Sequence, residues 1–462
     1  MTNPLLSTRE HLDRGRALRD RLPRRSLARL AVDRRRDPLG ILEQQNATRV
    51  QQLIPLRVER MSASPFTFYR GTAAIMAADL ANDEHTGIQV AACGDAHTSN
   101  FGFYASSHRR LVFDLNDFDE SAWAPWEWDL KRLVASVVIA ARASGRSGVV
   151  TEHAAITTTI AYARALRGYV TTMSPTDRFF LHFDAQETLK RLDKQSRRVL
   201  REAIADARRR TSERAARKQT ELREDGGLRF AERPPAMIPA EPEVARNARE
   251  YVERYIRSAR ADVRLLMRGY SVVDVARRVV GVGSVGTRCS LVLLADGDGN
   301  HLVMQSKEAN RSVLEQYGGI EQPRDLSDFI AEHGQGARVV ALQRILQAVS
   351  DPFLGHLRTT NGHDLYVRQF HDMKGSIDME TLDDGPFARY AQACAVTLAR
   401  AHAQSPGAAE IAGYAGGGRA LGEALLQWGN AYADLSERDH RAFLAAHSAP
   451  TTPASDDASR TG

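Results

Sequence analysis

Cysteine is scarce in this chain. Three residues, Cys93, Cys289 and Cys394, stand far apart among 462. They show no metal-ligand spacing, which excludes a disulfide-stapled fold and a cysteine-rich zinc module and suits a reducing compartment. Cys93 adjoins Gly94 and reads as a small buried residue rather than a nucleophile. Long apolar runs are missing too, so no segment is expected to span a bilayer. The start, Met1-Thr-Asn-Pro-Leu-Leu-Ser7, lacks the apolar centre of a secretory leader, and a cytoplasmic location is the expectation. Aromatic residues make up only 7% of the chain. None falls in the two arginine-rich stretches, which run from Arg14 to Arg36 and from Lys190 to Lys218. Basic clusters without stacking rings do not suggest nucleic acid as a partner. The second cluster is interleaved with Glu187, Asp193, Glu202, Asp206 and Glu213, as in a solvated helix laced with ion pairs. Net charge is +6. The arginines could also orient an anionic substrate or line a phosphate site. The length allows two or three domains with sizeable cores.

What the chain does have is concentrated in two motifs. The first is Gly94-Asp95-Ala96-His97-Thr98-Ser99-Asn100, followed by Val112-Phe113-Asp114-Leu115-Asn116-Asp117-Phe118-Asp119-Glu120. An Asp precedes an Asn by five residues, and four carboxylates then fall within seven. Phosphoryl-transfer enzymes use this order: an Asp takes the proton of the attacking hydroxyl, an Asn holds a metal ion, and a later Asp holds Mg²⁺ against the phosphates. Leu111-Val112-Phe113 predicts a short buried strand ending in acids. Carboxylates so close repel one another unless a cation lies among them. A capped surface turn and a hydrolytic metal site are the competing readings.

The second motif follows about two hundred residues later. Gly281-Val-Gly283-Ser284-Val-Gly286-Thr-Arg288 lies between two predicted strands. Glycines let a backbone turn tightly and bring its N–H groups to phosphate. A following strand, rather than a helix, argues against a dinucleotide fold and for a flap over phosphates. The next strand, from His301, ends near Lys307, where a lysine could neutralise phosphates. A short helix from about Arg311 to Tyr317 carries Glu315, a candidate partner for Lys307. Arg288 and Arg368 are candidate contacts to phosphate or an acidic substrate.

These motifs resemble the bacterial family known as domain of unknown function 2252. The resemblance rests on Ser64 to Gly71, Cys93 to Gly102, Phe113 to Glu120, Trp128-Asp129-Leu-Lys131-Arg132, Val280 to Arg288, Lys307-Glu308-Ala309 and Tyr366 to Gly375, and covers roughly residues 20 to 445. A wider, distant resemblance is to aminoglycoside-phosphotransferase-like and protein-kinase-like enzymes. It implies that Asp129 is a structural acceptor. It also implies a rearranged lobe order, because the glycine loop and lysine here follow the catalytic-type Asp.

The resulting expectation is an α+β, two-lobed, protein-kinase-like fold. Residues 1–60 would be a basic helical arm and linker, and 61–255 a large helical lobe. Residues 256–375 would be a β-rich nucleotide-binding lobe, 376–447 C-terminal helices on the large lobe, and 448–462 a disordered tail. Predicted helices include 68–81, 128–169, 184–222, 387–403 and 420–447, and 226–242 reads as a Pro-rich loop. The expected activity is ATP- and Mg²⁺- or Mn²⁺-dependent phosphoryl transfer to an unknown acceptor. Asp95 would act as base and Asn100 and Asp117 would hold metal, with Asp114 or Asp119 as alternates. Gly281, Gly283, Ser284, Gly286 and Lys307 would lie on the nucleotide. The alternatives are a metal-dependent phosphohydrolase built on Asp95, His97, Asp117 and Asp119, and a non-catalytic nucleotide-binding or interaction protein.

Overall fold

The computed structural model describes residues 6–448 apart from positions 225, 280, 371 and 372. The expected tail past Ser448 therefore lies outside the described residues, as do Val280 of the glycine motif and Asp372 of the stretch from Tyr366 to Gly375. The fold is mixed α+β.

Its centre is the helix Trp126–Ala143, buried on nearly every side. Its second half, Leu133 to Ala141, is almost wholly apolar and must be surrounded, and here Gly148–Thr172, Asp384–His402 and Arg419–Ser448 surround the helix. Glu127 and Asp129 occupy its first turn, where carboxylates suit the positive end of the helix. Trp126 stacks on Tyr162 with ring centroids 5.9 Å apart. The predicted helix 128–169 is two helices, because Gly145 takes a φ of +68° and ends the first. The predicted helix 68–81 is likewise two. Pro65–Arg70 opens on a Ser64/Thr67 capping box and closes at Gly71, and Ala73–Leu80 follows.

The N-terminal segment is not a loose arm. Thr8–Arg21 lies so close to Ala408–Ala415 that a Cβ at Gly15 would fall on the Glu410 carbonyl, and one at Gly413 on the Leu12 carbonyl. Arg19 and Arg24 donate to the carbonyls of Tyr414 and Ala415, and Arg36 pairs with Asp79 and Asp439. Much of the first arginine cluster is therefore engaged in packing. The second cluster is helical as Ala185–Leu189, Lys194–Arg208 and Ser212–Gln219, with Lys190–Glu187 and Arg209–Asp206 pairs.

Twelve strands occur among the described residues. β1 (Gln89–Ala92) pairs with β4 (Ala122–Pro125), and β2 (Phe101–Ala105) with β3 (Leu111–Leu115). β5 (Thr220–Leu222) and β6 (Leu228–Phe230) form a ribbon where a helix end and a Pro-rich loop were predicted. The pattern there was too short to reveal alternation. The main sheet is antiparallel, in the order β11-β12-β10-β9-β8-β7. Its strands are β7 (Met237–Pro239), β8 (Ser271–Arg278), β9 (Cys289–Ala295), β10 (His301–Glu308), β11 (Gly355–Arg358) and β12 (Asp364–Gln369). Helix Pro242–Ser258 packs on one side of this sheet. No helix among the described residues is long and apolar enough to cross a membrane.

Candidate functional site

The loop Cys93–Asn100 leaves β1 in a fixed shape. Gly94 has a φ of +80°, and a Cβ there would collide with the backbone carbonyl of Glu120. Asp129, on the central helix, accepts from the backbone N–H of Cys93 at 2.6 Å and of Gly94 at 2.9 Å, and lies 3.2 Å from His402 Nε2. It is a structural acceptor. Asp95 Oδ1 accepts from Arg132 Nε at 2.8 Å. The Arg132 guanidinium lies 3.9 Å from the centre of the Tyr69 ring, and a second nitrogen donates to the Tyr69 carbonyl. Burial raises the Asp95 carboxyl above its ordinary value, and Arg132 pulls it back. Asn100 Nδ2 donates to the Asp95 carbonyl at 2.7 Å, which leaves its side-chain oxygen without a partner inside the loop. His97 is 3% exposed and held well below its ordinary pKa by burial, aided by Arg70 and Arg132.

The acidic run continues from β3. Asp114 is turned into the fold, where its carboxylate accepts from the N–H of Leu115 and of Ala348. It is 1% exposed and does not reach the cleft, which corrects its expected place among the metal ligands. Asp117 and Asp119 do reach it. Lys307 Nζ stands 3.2 Å from Asp117 Oδ1 and 2.6 Å from Asp119 Oδ2. Tyr366 Oη donates to the other Asp119 oxygen at 2.5 Å. Burial opposes the charges, yet the two carboxylates hold Lys307 well above its ordinary value. Lys307, Arg368 and Lys374 in turn hold Asp117 well below its own, against the same burial. This is the cation that the acidic run required.

The glycine turn between β8 and β9 is fastened rather than free. Arg60 donates to the Gly281 carbonyl at 2.6 Å and Arg49 to that of Val285 at 2.5 Å, and the Val50 N–H donates to Gly286 O at 2.8 Å. Gly286 has a φ of +89°. Gly283 rests against the Arg70 carbonyl, 3.2 Å from where its Cβ would stand.

Two cavities open on either side of this turn. One, of about 700 Å³, is strongly basic: Lys307, Arg368, Lys374, Arg278, Arg210 and Arg70 line it, with Gly281 and Phe370. The other, of about 290 Å³, is floored by Asp95, Asp119 and Glu120 and rimmed by Gln44, Thr48 and Gln316. They share Arg70, Asn100, Asp117 and Ser284. Burial lowers the Lys374 amine to about 7, with the Arg368 charge adding to it, and burial raises the Glu120 carboxyl to about 7.

Two expected contacts are not made. Glu315, on a one-turn helix Val313–Gln316, pairs with Arg311 at 3.4 Å and leaves Lys307 to Asp117 and Asp119. Arg288 points to Glu308 at 3.0 Å, on the wall of a different cavity against helix Pro242–Ser258. Strand alternation explains it, since Arg288 stands one residue from Cys289, the partner of Lys307 across β9 and β10.

Residues that the motifs did not single out complete the site. Arg132 aims Asp95, and Tyr366 holds Asp119. Arg338, fully buried, donates to the carbonyls of Asp119, Ser121 and Asn310 and so fixes the acidic loop. Arg70, Arg132, Tyr366 and Lys374 stand inside recognisable motif stretches. Arg49, Arg60 and Arg338 carried no signal among so many arginines.

Antiparallel sheet, helical core and a cleft joining carboxylates to buried cations define a mixed α+β protein with a charged cleft. The chain belongs to the family of uncharacterized proteins conserved in bacteria known as DUF2252, whose match spans residues 49–446. No curated protein and no solved structure matches it.

Proposed function

We propose that this protein is an ATP- and Mg²⁺-dependent phosphotransferase with a protein-kinase-like site in rearranged lobe order. One observation carries the reading. A basic chamber suited to a polyphosphate meets a second chamber holding Asp95, and the junction is formed by Asn100, Asp117, Ser284 and Arg70. A donor's terminal phosphate held at that junction would face both the cations and the base.

Lys307, Arg368, Lys374 and Arg278 bind the donor phosphates, with the glycine turn above them. Catalysis then rests on positioning and charge stabilisation. Asp95, aimed by Arg132, takes the proton of the acceptor hydroxyl. The acceptor oxygen forms its bond to the γ-phosphorus as the bridging P–O bond breaks, and ADP leaves. The divalent cation would be held by Asn100 and Asp117. Both offer hard oxygen donors, and Mg²⁺ characteristically takes one or two such side chains and completes its shell with phosphate and water. That fits the described residues, which contain no cluster of three or more His, Cys, Asp or Glu able to hold a metal by themselves. When bound, the ion would supply charge neutralisation at the phosphates. The hydrolase reading uses His97 as a ligand; the residue is 3% exposed, with Nε2 3.6 Å from Asp95 Oδ2, and His97 is absent from the lining of both chambers.

The test is incubation with γ-labelled ATP and Mg²⁺ or Mn²⁺, followed by a search for labelled product. Transfer to an acceptor supports the reading. Label released only as inorganic phosphate, with equal use of non-nucleotide esters, supports the hydrolase. No shift in melting temperature with Mg-ATP returns the protein to the interaction class.

A further inference from the structure

We infer that the acceptor is a small, uncharged, polyhydroxylated molecule, and that the N-terminal segment forms part of its binding site. The inference rests on the phosphotransferase reading and concerns the smaller chamber.

Size comes first. The chamber encloses about 290 Å³ above Asp95. One side is the glycine turn, fixed by the three backbone-carbonyl bonds from Val50, Arg49 and Arg60. Next to it, the rim continues as the end of helix Pro38–Ala47 and the turn after it. A volume of this order takes a monosaccharide-sized molecule rather than a folded segment of another protein.

Charge comes next. The carboxylates on its walls already have partners within the fold. Asp95 is paired with Arg132, Asp117 and Asp119 with Lys307, and Glu308 with Arg288. Glu120 accepts from the Val313 N–H. Glu120 alone among the five has only a backbone partner, so little free negative charge remains to draw in an amine. An anionic acceptor is disfavoured by the same acids, because five carboxylates line the chamber against three arginines, and a charge desolvated beside an excess of its own sign is costly. Of those arginines, half-buried Arg49 already donates to Val285 O and Arg311 pairs with Glu315, which leaves Arg70, shared with the basic chamber.

Beside these charges the rim supplies hydrogen-bonding groups without charge. Gln44, Thr48 and Gln316 stand exposed at the mouth, and Gln45 and Tyr317 are half-buried behind them. Amides and hydroxyls both donate and accept, which matches a ligand carrying several hydroxyl groups. Sites built to pair with hydroxyls discriminate strongly against analogues that lack them.

The experiment uses the full-length protein, Mg²⁺ and γ-labelled ATP with three acceptor panels. These are neutral polyols (glucose, ribose, sorbitol, inositol), their amino and carboxylate counterparts, and dephosphorylated casein. The expected result is label in a neutral polyol. Gln44→Leu and Thr48→Val should then raise the KM for it by about tenfold or more with kcat retained, the signature of lost binding that is equal in ground and transition states. Both residues are exposed, so both variants should fold, and their melting-temperature shift with Mg-ATP should match the wild type. Label confined to casein, to the protein itself or to charged acceptors overturns the inference and leaves the phosphotransferase reading standing. So does an unchanged KM in both variants. Absence of any Mg-ATP shift overturns both.

Discussion

Replacing Asp95 with Asn separates base from scaffold. The side chain keeps its size and keeps an oxygen that can accept from Arg132 Nε, now 2.8 Å away. Arg132 keeps this hydrogen bond but loses its counter-charge while its side chain is 3% exposed, and removing one partner of a buried ion pair costs about 3 to 5 kcal/mol. Part of that is returned, because burial already disfavours the ionised carboxyl here. Arg132 retains the Tyr69 carbonyl and ring. The fold should therefore survive with a clearly lower melting temperature. The chemical step should not. A positioned base contributes about 10² to 10⁴-fold, or roughly 3 to 5 kcal/mol of barrier, and the amide cannot take the proton. Nucleotide contacts lie in the other chamber and are untouched, so Mg-ATP should stabilise Asp95→Asn as it does the wild type. The assay is transfer of label from γ-labelled ATP beside a thermal-shift titration. Turnover within a few-fold of wild type, with normal Mg-ATP binding, would refute Asp95 as the base.

Mg²⁺ alone should give little stabilisation, because Lys307 already neutralises Asp117, whereas Mg-ATP should give a clear shift whose metal dependence is lost in Asp117→Ala. A thermal-shift matrix of metal against nucleotide decides this. Glu120 titrates near 7 in the folded state, raised from 4.5 by burial. Between these values the folded state binds the extra proton, so this group makes stability fall as pH rises from about 4.5 to 7, by up to about 3 kcal/mol. Glu120→Gln should flatten that slope in denaturant melts, and an unchanged slope would exclude Glu120 as its source. Gly286→Ala must hold a Cβ at a φ of +89° and against the Arg49 side chain, 3.0 Å away. It should destabilise by about 1 to 3 kcal/mol and weaken nucleotide binding, with Gly297→Ala, in open space, as the neutral control.

What the sequence determined by itself was local. The helices around Trp126, the strand ending in acids, and the strand–glycine turn–strand were readable because period and turn chemistry are local properties of a chain. The need for a cation among Asp117 and Asp119 also followed from like-charge repulsion alone. Asp114 and Arg288 show where that reasoning stopped. Both stand in the right motif and face away, because alternate strand residues point to opposite sides and the register is set by pairing partners. Glu315 was misassigned for a related reason: Lys307 had nearer carboxylates, brought from almost two hundred residues upstream. Arg132 aiming Asp95, Arg338 holding the acidic loop, and Arg49 and Arg60 fastening the glycine turn are all long-range contacts of one arginine among many. Nothing local distinguishes such a side chain until packing selects its partner. The division of the cleft into a basic and an acidic chamber is likewise a product of tertiary structure, since it depends on where the N-terminal segment meets the turn between β8 and β9.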